Sequence, residues 1–508
     1  RGFQQDLDSD AALASYTRAF GLDSNFAQAY LRYDFVRSWS LQAQDPTAHA
    51  RLLALRDKLP ERDRLWLETR ELALPFPARN AKWQELVARF PDHPPILMSA
   101  ADPLVHTGPL YGIPITDAKP LLERLDRLVP DHADTKLHLA VLAGSVGTES
   151  ESADAFETAS QSASGTFRAM LSWMGRLQRS EATGQPLPPP SAAFETARAL
   201  ASDAARNPAL APFIGLLGWN GGSPSPRLEA LAAVRRAGIY TDDAEVASAF
   251  GEGSLRIARG DWDGGLRALR RLESAPLPLA MRLTSARLAA YGAWLGALEA
   301  GAADSVVRRA IALDEVSANA VERADLTWLD GLVATTLGEE SRVQSAIRQL
   351  TADTLITSRH LARSLAGHWL HRTNPDAAAD SLKTLSDETM RDGGFSLIAA
   401  AVDRFVVSRA MRRTGRPAEA ERYLMWTDAA VNQTRSLSAI FLRPLVEFER
   451  GVAFEEAGNR DRAAYYLRRF VRSYDQPPAA HQSMVDDAKA RLARLESSDA
   501  LPPPRRVP

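Results

Sequence analysis

The sequence predicts an all-α fold, an α-solenoid of helical hairpins stacked as one curved superhelix. Three observations carry that reading. Apolar residues recur at helical spacing in segment after segment. Strand signals are almost absent, with no convincing period-two run and no Asn-Gly or Asp-Gly hairpin between alternating segments. A helix, a Gly-centred turn and a second helix also recur with small and bulky residues at fixed offsets. That is how a repeat reads when it must stack on its neighbours to bury its apolar face.

The clearest copy runs from Arg450 to Phe470. Gly451 permits close approach of two helices, and Gly458 ends the first of them. Ala463 falls where the second helix crosses the first, and Leu467 and Phe470 fill the cleft between them. This unit resembles a tetratricopeptide (TPR) repeat, which implies a right-handed superhelix of helical hairpins and a binding surface rather than a catalytic one. Looser copies follow the same spacing. At the N-terminus, Ala12, Tyr16 and Ala19 within Asp10–Asp23 match the second helix of such a unit. Only the stub Arg1–Asp6 precedes it, so a further segment is expected upstream of Arg1. Phe156–Leu177 and Ala192–Ala205 have helical spacing, as do Ala286–Leu298 and Val306–Leu313 without full TPR punctuation. Gly253, Gly260, Trp262, Gly265, Leu269 and Leu272 mark one of the clearest units. Gly331, Gly338, Ile347 and Leu350 mark a weaker one, and Ser408, Gly415, Ala420 and Leu424 a good one.

Proline sets the joints. Leu187–Pro190 is the best internal linker, and Ser223–Pro226 is a second break. The tail from Leu501 to Pro508 is too proline-rich for a helix and is expected to be disordered. The expected organisation is N-terminal TPR-like repeats over 1–185, connecting helices over 186–236, C-terminal TPR repeats over 237–496 and a Pro/Arg tail over 497–508.

The first third carries a more specific resemblance. Ala19–Asp23 leads into Asn25, Phe26, Ala29 and Tyr30, followed by Leu59, Pro60, Glu61 and Arg62. Trp83–Asp92, Gly108–Pro114, Ala118–Leu125 and Val129–Asp131 follow in that order. This succession, over residues 1–145, resembles the TPR region that follows the kinase domain in bacterial receptor-like serine/threonine protein kinases. Similar regions follow winged-helix or adenylate-cyclase output domains. The resemblance implies a sensory or protein-interaction region, extracytoplasmic if tethered to a membrane-anchored kinase and otherwise cytoplasmic.

Composition narrows the classes. Of 508 residues, 45% are hydrophobic and 24% charged, ordinary for a folded chain, and the net charge of −2 points to no nucleic-acid partner. Only 6 of the 61 basic residues are lysine, which reads as the mark of a GC-rich bacterial genome. The absence of cysteine removes disulfides, thiolate metal sites and thiol nucleophiles together. No apolar window is long enough to span a membrane; Phe395–Val407 is broken by Asp403 and Arg404. There is no signal-peptide pattern, and the chain reads as a processed product or a piece of something larger.

No catalytic, cofactor or metal site is predicted. A phosphate loop, a kinase Gly-rich loop, a His-Arg-Asp loop and an Asp-Phe-Gly motif are all missing. Gly251 and Gly253 lack the third glycine of a dinucleotide fingerprint. His360, His368 and His371 fall on one helix face, but the first and last would be about 16 Å apart and cannot share an ion. His368 and His371 could, yet no Cys is available and no suitably spaced carboxylate lies nearby, so helix packing or partial exposure is the expected role. Trp39, Trp219, Trp262 and Trp426 are expected in the core. The paired carboxylates Asp242-Asp243 and Asp486-Asp487 read as helix starts or surface groups.

The predicted site is a concave groove that takes a protein or peptide segment. Arg409, Arg412 and Arg413 form a cationic stripe on the first helix of their repeat, with Phe405 one turn earlier. Equivalent positions in the Gly331 unit are Asp325, Trp328, Leu332 and Thr335, and in the Gly451 unit Phe448, Val452 and Glu455. The groove would run from mixed to basic to acidic, which suits an extended peptide. The expected function is thus a TPR scaffold regulating a kinase whose catalytic domain lies outside this chain. The alternatives are the ligand-sensing region of a winged-helix transcriptional regulator and a stand-alone scaffold.

Overall fold

A computed structural model describes residues 9–39, 44–130, 132–163, 165–183, 242–274, 279–313, 319–429 and 442–497, with 228, 315 and 316. The stub Arg1–Asp6, the breaks at Leu187–Pro190 and Ser223–Pro226, the segment Ala192–Ala205, Trp219 and the 498–508 tail lie outside the described residues, as does the side chain of Trp39. Two compact units emerge: Arg1–Gly108 with Pro114–Gly175, and Pro109–Ile113 with Arg176–Pro508. Every regular element among the described residues is helical, and none of these helices is long and apolar enough to cross a membrane.

The first unit contains α1 (Ser9–Leu22), α2 (Ala27–Trp39), α3 (Pro46–Ala54), α4 (Glu61–Glu71), α5 (Phe76–Arg89), α6 (Pro94–His106), α7 (Lys119–Leu128), α8 (Ala133–Val146) and α9 (Glu149–Ser162), and α10 (Gly165–Thr183) spans its C-terminal boundary. Helix starts follow local chemistry. Prolines open α3, α6 and α7, where a missing N–H forfeits no helical bond. The Asp45 carboxylate accepts from the N–H groups of Thr47 and Ala48, and Thr148 and Glu151 form a reciprocal capping box on α9. The Leu59–Arg62 stretch is such a start: Leu59 is buried, Pro60 precedes α4, and Glu61 accepts from Arg89 at 2.7 Å. Trp66, fully enclosed with Leu31, Leu52 and Ile96 around it, donates to Ser99 Oγ at 2.9 Å. The helix expected over Phe156–Leu177 is in fact two. Ala163 is extended (φ −89°, ψ 165°) and Gly165, a poor helix former, begins α10.

The second unit contains α11 (Asp242–Ala258), α12 (Trp262–Leu269), α13 (Leu279–Arg282), α14 (Thr284–Trp294), α15 (Ala300–Ile311), α16 (Ala320–Leu337), α17 (Glu340–Ala352), α18 (Ile356–His371), α19 (Pro375–Asp392), α20 (Leu397–Arg413), α21 (Pro417–Ala420), α22 (Arg443–Glu456), α23 (Arg460–Ser473) and α24 (Gln482–Ser497). Helices pair in chain order: α11 with α12, α14 with α15, α16 with α17, α18 with α19, and α22 with α23. First helices also touch across repeats, α14 on α16, α16 on α18, α18 on α20 and α20 on α22. This is the TPR-like stacking that the spacing implies.

The Gly451 hairpin packs as its sequence predicts. A methyl group at Gly451 would lie 2.7 Å from Leu467 Cγ, so the hydrogen is what permits the α22–α23 approach. Gly458 closes α22 at φ +79°, a conformation glycine adopts without strain. Ala463, Leu467 and Phe470 are fully buried. The Ser408 unit departs from expectation: after α21 the chain continues as 3-10 turns, Glu421–Tyr423 and Met425–Asp428, instead of one second helix. The buried Arg450 guanidinium draws these turns in, donating to Asp428 at 2.7 Å and also to Glu421.

Candidate partner-binding face

The predicted groove residues lie on three first helices: Trp328 on α16, Phe405, Arg409, Arg412 and Arg413 on α20, and Phe448 and Glu455 on α22. The aromatics and the charges have separated. Trp328, Phe405 and Phe448 are buried, and their apolar area serves the core of the second unit. Phe448 packs on Phe470 with ring centroids 5.2 Å apart. The charged groups reach the surface in graded fashion, Arg412 least (17% exposed), Arg409 more (40%) and Arg413 most (52%).

An ion-pair ladder joins α20 to α22. Arg409 Nε donates to Glu449 at 2.7 Å, while its guanidinium stacks on the Phe405 ring with Cζ 4.8 Å from the centroid. Arg412 donates to Glu456 at 2.9 and 3.0 Å and also to Glu449. Burial works against the charge of Arg412, but its hydrogen bonds to Glu456 and the fields of Glu449 and Glu456 hold its pKa above the ordinary value. Glu449 is nearly enclosed, so it depends on these partners. Glu455 turns to the opposite neighbour, accepting from Arg491 at 2.6 Å and Arg494 at 3.3 Å on α24. Arg413 differs. Its carboxylate neighbour, Asp376, lies 3.5 Å away and is itself 87% exposed, so that contact is weak and readily exchanged.

Spacing did not flag Glu449, Glu456, Arg491 and Arg494. The signal was present: Glu449 and Glu456 are seven residues apart and share a face of α22, opposite Arg409 and Arg412. Trp262 and Trp426 are core residues, as expected.

His360 and His368 are buried between helices, the packing role expected of them, with one partner that the spacing did not indicate. A carboxylate does stand beside His360 and His368, supplied by Asp403 of α20. His368 Nε2 lies 2.9 Å from Asp403 Oδ1, and His360 Nε2 lies 3.8 Å from Oδ2. Ser364 Oγ donates to the same carboxylate at 2.6 Å, and Trp328 Nε1 donates to Ser364 Oγ at 3.1 Å. A serine, a histidine and an aspartate thus meet, but the hydroxyl faces the carboxylate rather than the imidazole. The group is enclosed on all sides, so a substrate has no approach to it. Burial holds His360 neutral, with its pKa pushed down to about 4. The cluster is a core network that ties α16, α18 and α20 together.

No protein-family model matches the chain, and no curated protein does. Among solved structures, the chain is similar to the P58(IPK) TPR domain, with 12% identity over 89% of this chain and 98% of that one at a TM-score of 0.22. It is also similar to the APC/C hetero-tetramer Cut9-Hcn1, with 9% identity over 96% of this chain and 93% of that one at a TM-score of 0.29. Scores this low mean poor superposition, so the fold rests on the chain's own helix order and packing.

Proposed function

We propose that the chain is a protein-interaction scaffold, not itself an enzyme. It would take a peptide segment of a partner along the face formed by α20 and α22. The supporting observation is the cationic edge of Arg409 and Arg413. Their guanidiniums are about half exposed and one turn apart, and the Asp376 contact of Arg413 costs little to exchange. A partner carboxylate or phosphate would replace it with a charge-assisted, two-pronged hydrogen bond. Glu455 with Arg491 and Arg494 would supply a mixed-charge continuation. Phe405, Trp328 and Phe448 support this face from beneath. Nucleic acid is a poor candidate, because the net charge is −2 and nearby cations are already matched by acids.

By the resemblance over residues 1–145, we assign the scaffold to the regulatory region of a bacterial membrane-anchored serine/threonine protein kinase. Upstream coding sequence tests this assignment. A Gly-rich kinase loop and a membrane span would support it, whereas a winged helix would move the chain to a transcriptional regulator.

The binding face is tested by affinity capture with wild type and with Arg409→Gln/Arg413→Glu, leaving Arg412 to hold Glu449. One protein captured by wild type and lost in a variant with unchanged circular dichroism is the expected result. Equal capture by both would place the binding face elsewhere. No capture by either would favour small-ligand sensing.

A further inference from the structure

In the first unit, α6 and α8 bring together three side chains that no sequence motif joined. Asp102 and His106 are one turn apart on α6, and His138 lies on α8. His138 Nε2 is 3.1 Å from Asp102 Oδ1, and His106 Nε2 is 3.3 Å from the same oxygen. The two Nε2 atoms are 3.2 Å from each other. We propose that Asp102, His106 and His138 form a binding site for a divalent transition-metal ion of the zinc class, with three protein ligands and a fourth position for water or a partner's donor atom.

The triangle has the dimensions such an ion requires. Tetrahedral ligands at about 2.0–2.1 Å from zinc are separated from each other by roughly 3.3 Å. A cation equidistant from these three donors would sit about 0.9 Å out of their plane, with its remaining valence pointing away from them. Two imidazoles and one carboxylate are a donor set that suits zinc.

The surroundings orient the ligands. His138 Nδ1 lies 2.6 Å from the Asp134 carbonyl oxygen, so Nδ1–H donates there. In the neutral ring this leaves the Nε2 lone pair facing the triangle, the usual outer support of a metal-bound histidine. His138 is only 6% exposed, while Asp102 (31%) and His106 (27%) keep an edge open to solvent through which a cation can enter. Without a cation, the same atoms make an aspartate–histidine ion pair. Burial disfavours the charge of His138, but the hydrogen bond and field of Asp102, together with the backbone hydrogen bond and field of Asp134, outweigh it and raise the pKa. That arrangement sets a second imidazole nitrogen against the first and against the same oxygen; a cation satisfies all three donors together.

The test uses the whole chain, stripped with chelator and titrated with Zn²⁺, with Co²⁺ as the spectroscopic probe. The expected result is one ion per chain, intense visible absorption from four-coordinate Co²⁺, and a chelator-reversible rise in Tm. His106→Ala should weaken Zn²⁺ binding by at least about 100-fold, the upper range for losing a mere outer partner of a ligand. His371→Ala, which removes a partly exposed histidine of α18, should bind as wild type. If His106→Ala loses its helical circular dichroism, Asp102→Ala takes its place. Binding unchanged in these variants, binding no tighter than that of scattered surface histidines, or a weak six-coordinate Co²⁺ spectrum would each overturn the proposal.

Discussion

Replacing Gly451 by alanine pits two effects of known size against each other. Inside a helix, alanine is favoured over glycine by about 1 kcal/mol. Here its Cβ would lie 2.7 Å from Leu467 Cγ, 2.9 Å from Cδ2 and 3.2 Å from the backbone nitrogen. Cγ is the branch point of a side chain with no exposed surface, so it cannot swing aside as a flexible tip would. Overpacking of this kind costs about 1–3 kcal/mol, and a net destabilisation of roughly 1 kcal/mol is expected. Leu467→Ala should cost about 2–5 kcal/mol by leaving a cavity. In the double variant the new methyl enters the vacated space, so the combined loss should fall short of the sum by about 1 kcal/mol. Urea unfolding followed by circular dichroism measures all three, and hydrogen exchange in α22 and α23 localises the change, because repeat arrays need not unfold in one step. Gly451→Ala more stable than wild type, or a cycle additive to within about 0.3 kcal/mol, would refute the close-approach reasoning.

Two further outcomes follow from buried polar groups. Arg450→Met should cost about 3–5 kcal/mol in urea unfolding, because it strands the enclosed Asp428 carboxylate together with Glu421; a loss under about 1 kcal/mol would show that those acids find other partners. His360, held down to about 4 by burial, stays neutral in the folded chain while an unfolded histidine takes up a proton near pH 6.5. Stability should therefore fall as pH drops from about 6.5 to 4, by up to roughly 3 kcal/mol from this residue, and level off below. His360→Phe should reduce the pH dependence of the urea midpoint over that window, with His93, also held down to about 4 by burial, leaving a remainder; an unchanged pH profile would contradict the assignment.

How much was legible varies with the range of the interaction. The Gly451 hairpin was readable because each of its requirements is local: a positive-φ residue at Gly458, and small residues at 451 and 463 where two adjacent helices cross. Its neighbour misled because the second helix of the Ser408 unit is held as 3-10 turns by Arg450, a side chain beyond the repeat boundary. The Arg409–Arg413 stripe was visible as a helical face, but Glu449 and Glu456, from the next hairpin, now pair with Arg409 and Arg412. Asp102 and His106 already share a face at the i, i+4 spacing; His138 joins them only when α8 packs against α6.

The sequence by itself determined that the chain would be helical, where many of its hairpins turn, and which small residues let helices close on one another. These follow from backbone sterics and from a 3.6-residue apolar period, which act over a dozen residues or so. Only the tertiary structure decided which charge meets which. Asp403 went to His368, Glu449 to Arg409 and Arg412, and His138 to Asp102, each across some 35 to 40 residues of chain. A lone carboxylate or guanidinium in a sequence carries no address for its partner. Burial makes the pairing compulsory, because a charge removed from water must find its opposite in whatever helix the packing brings alongside.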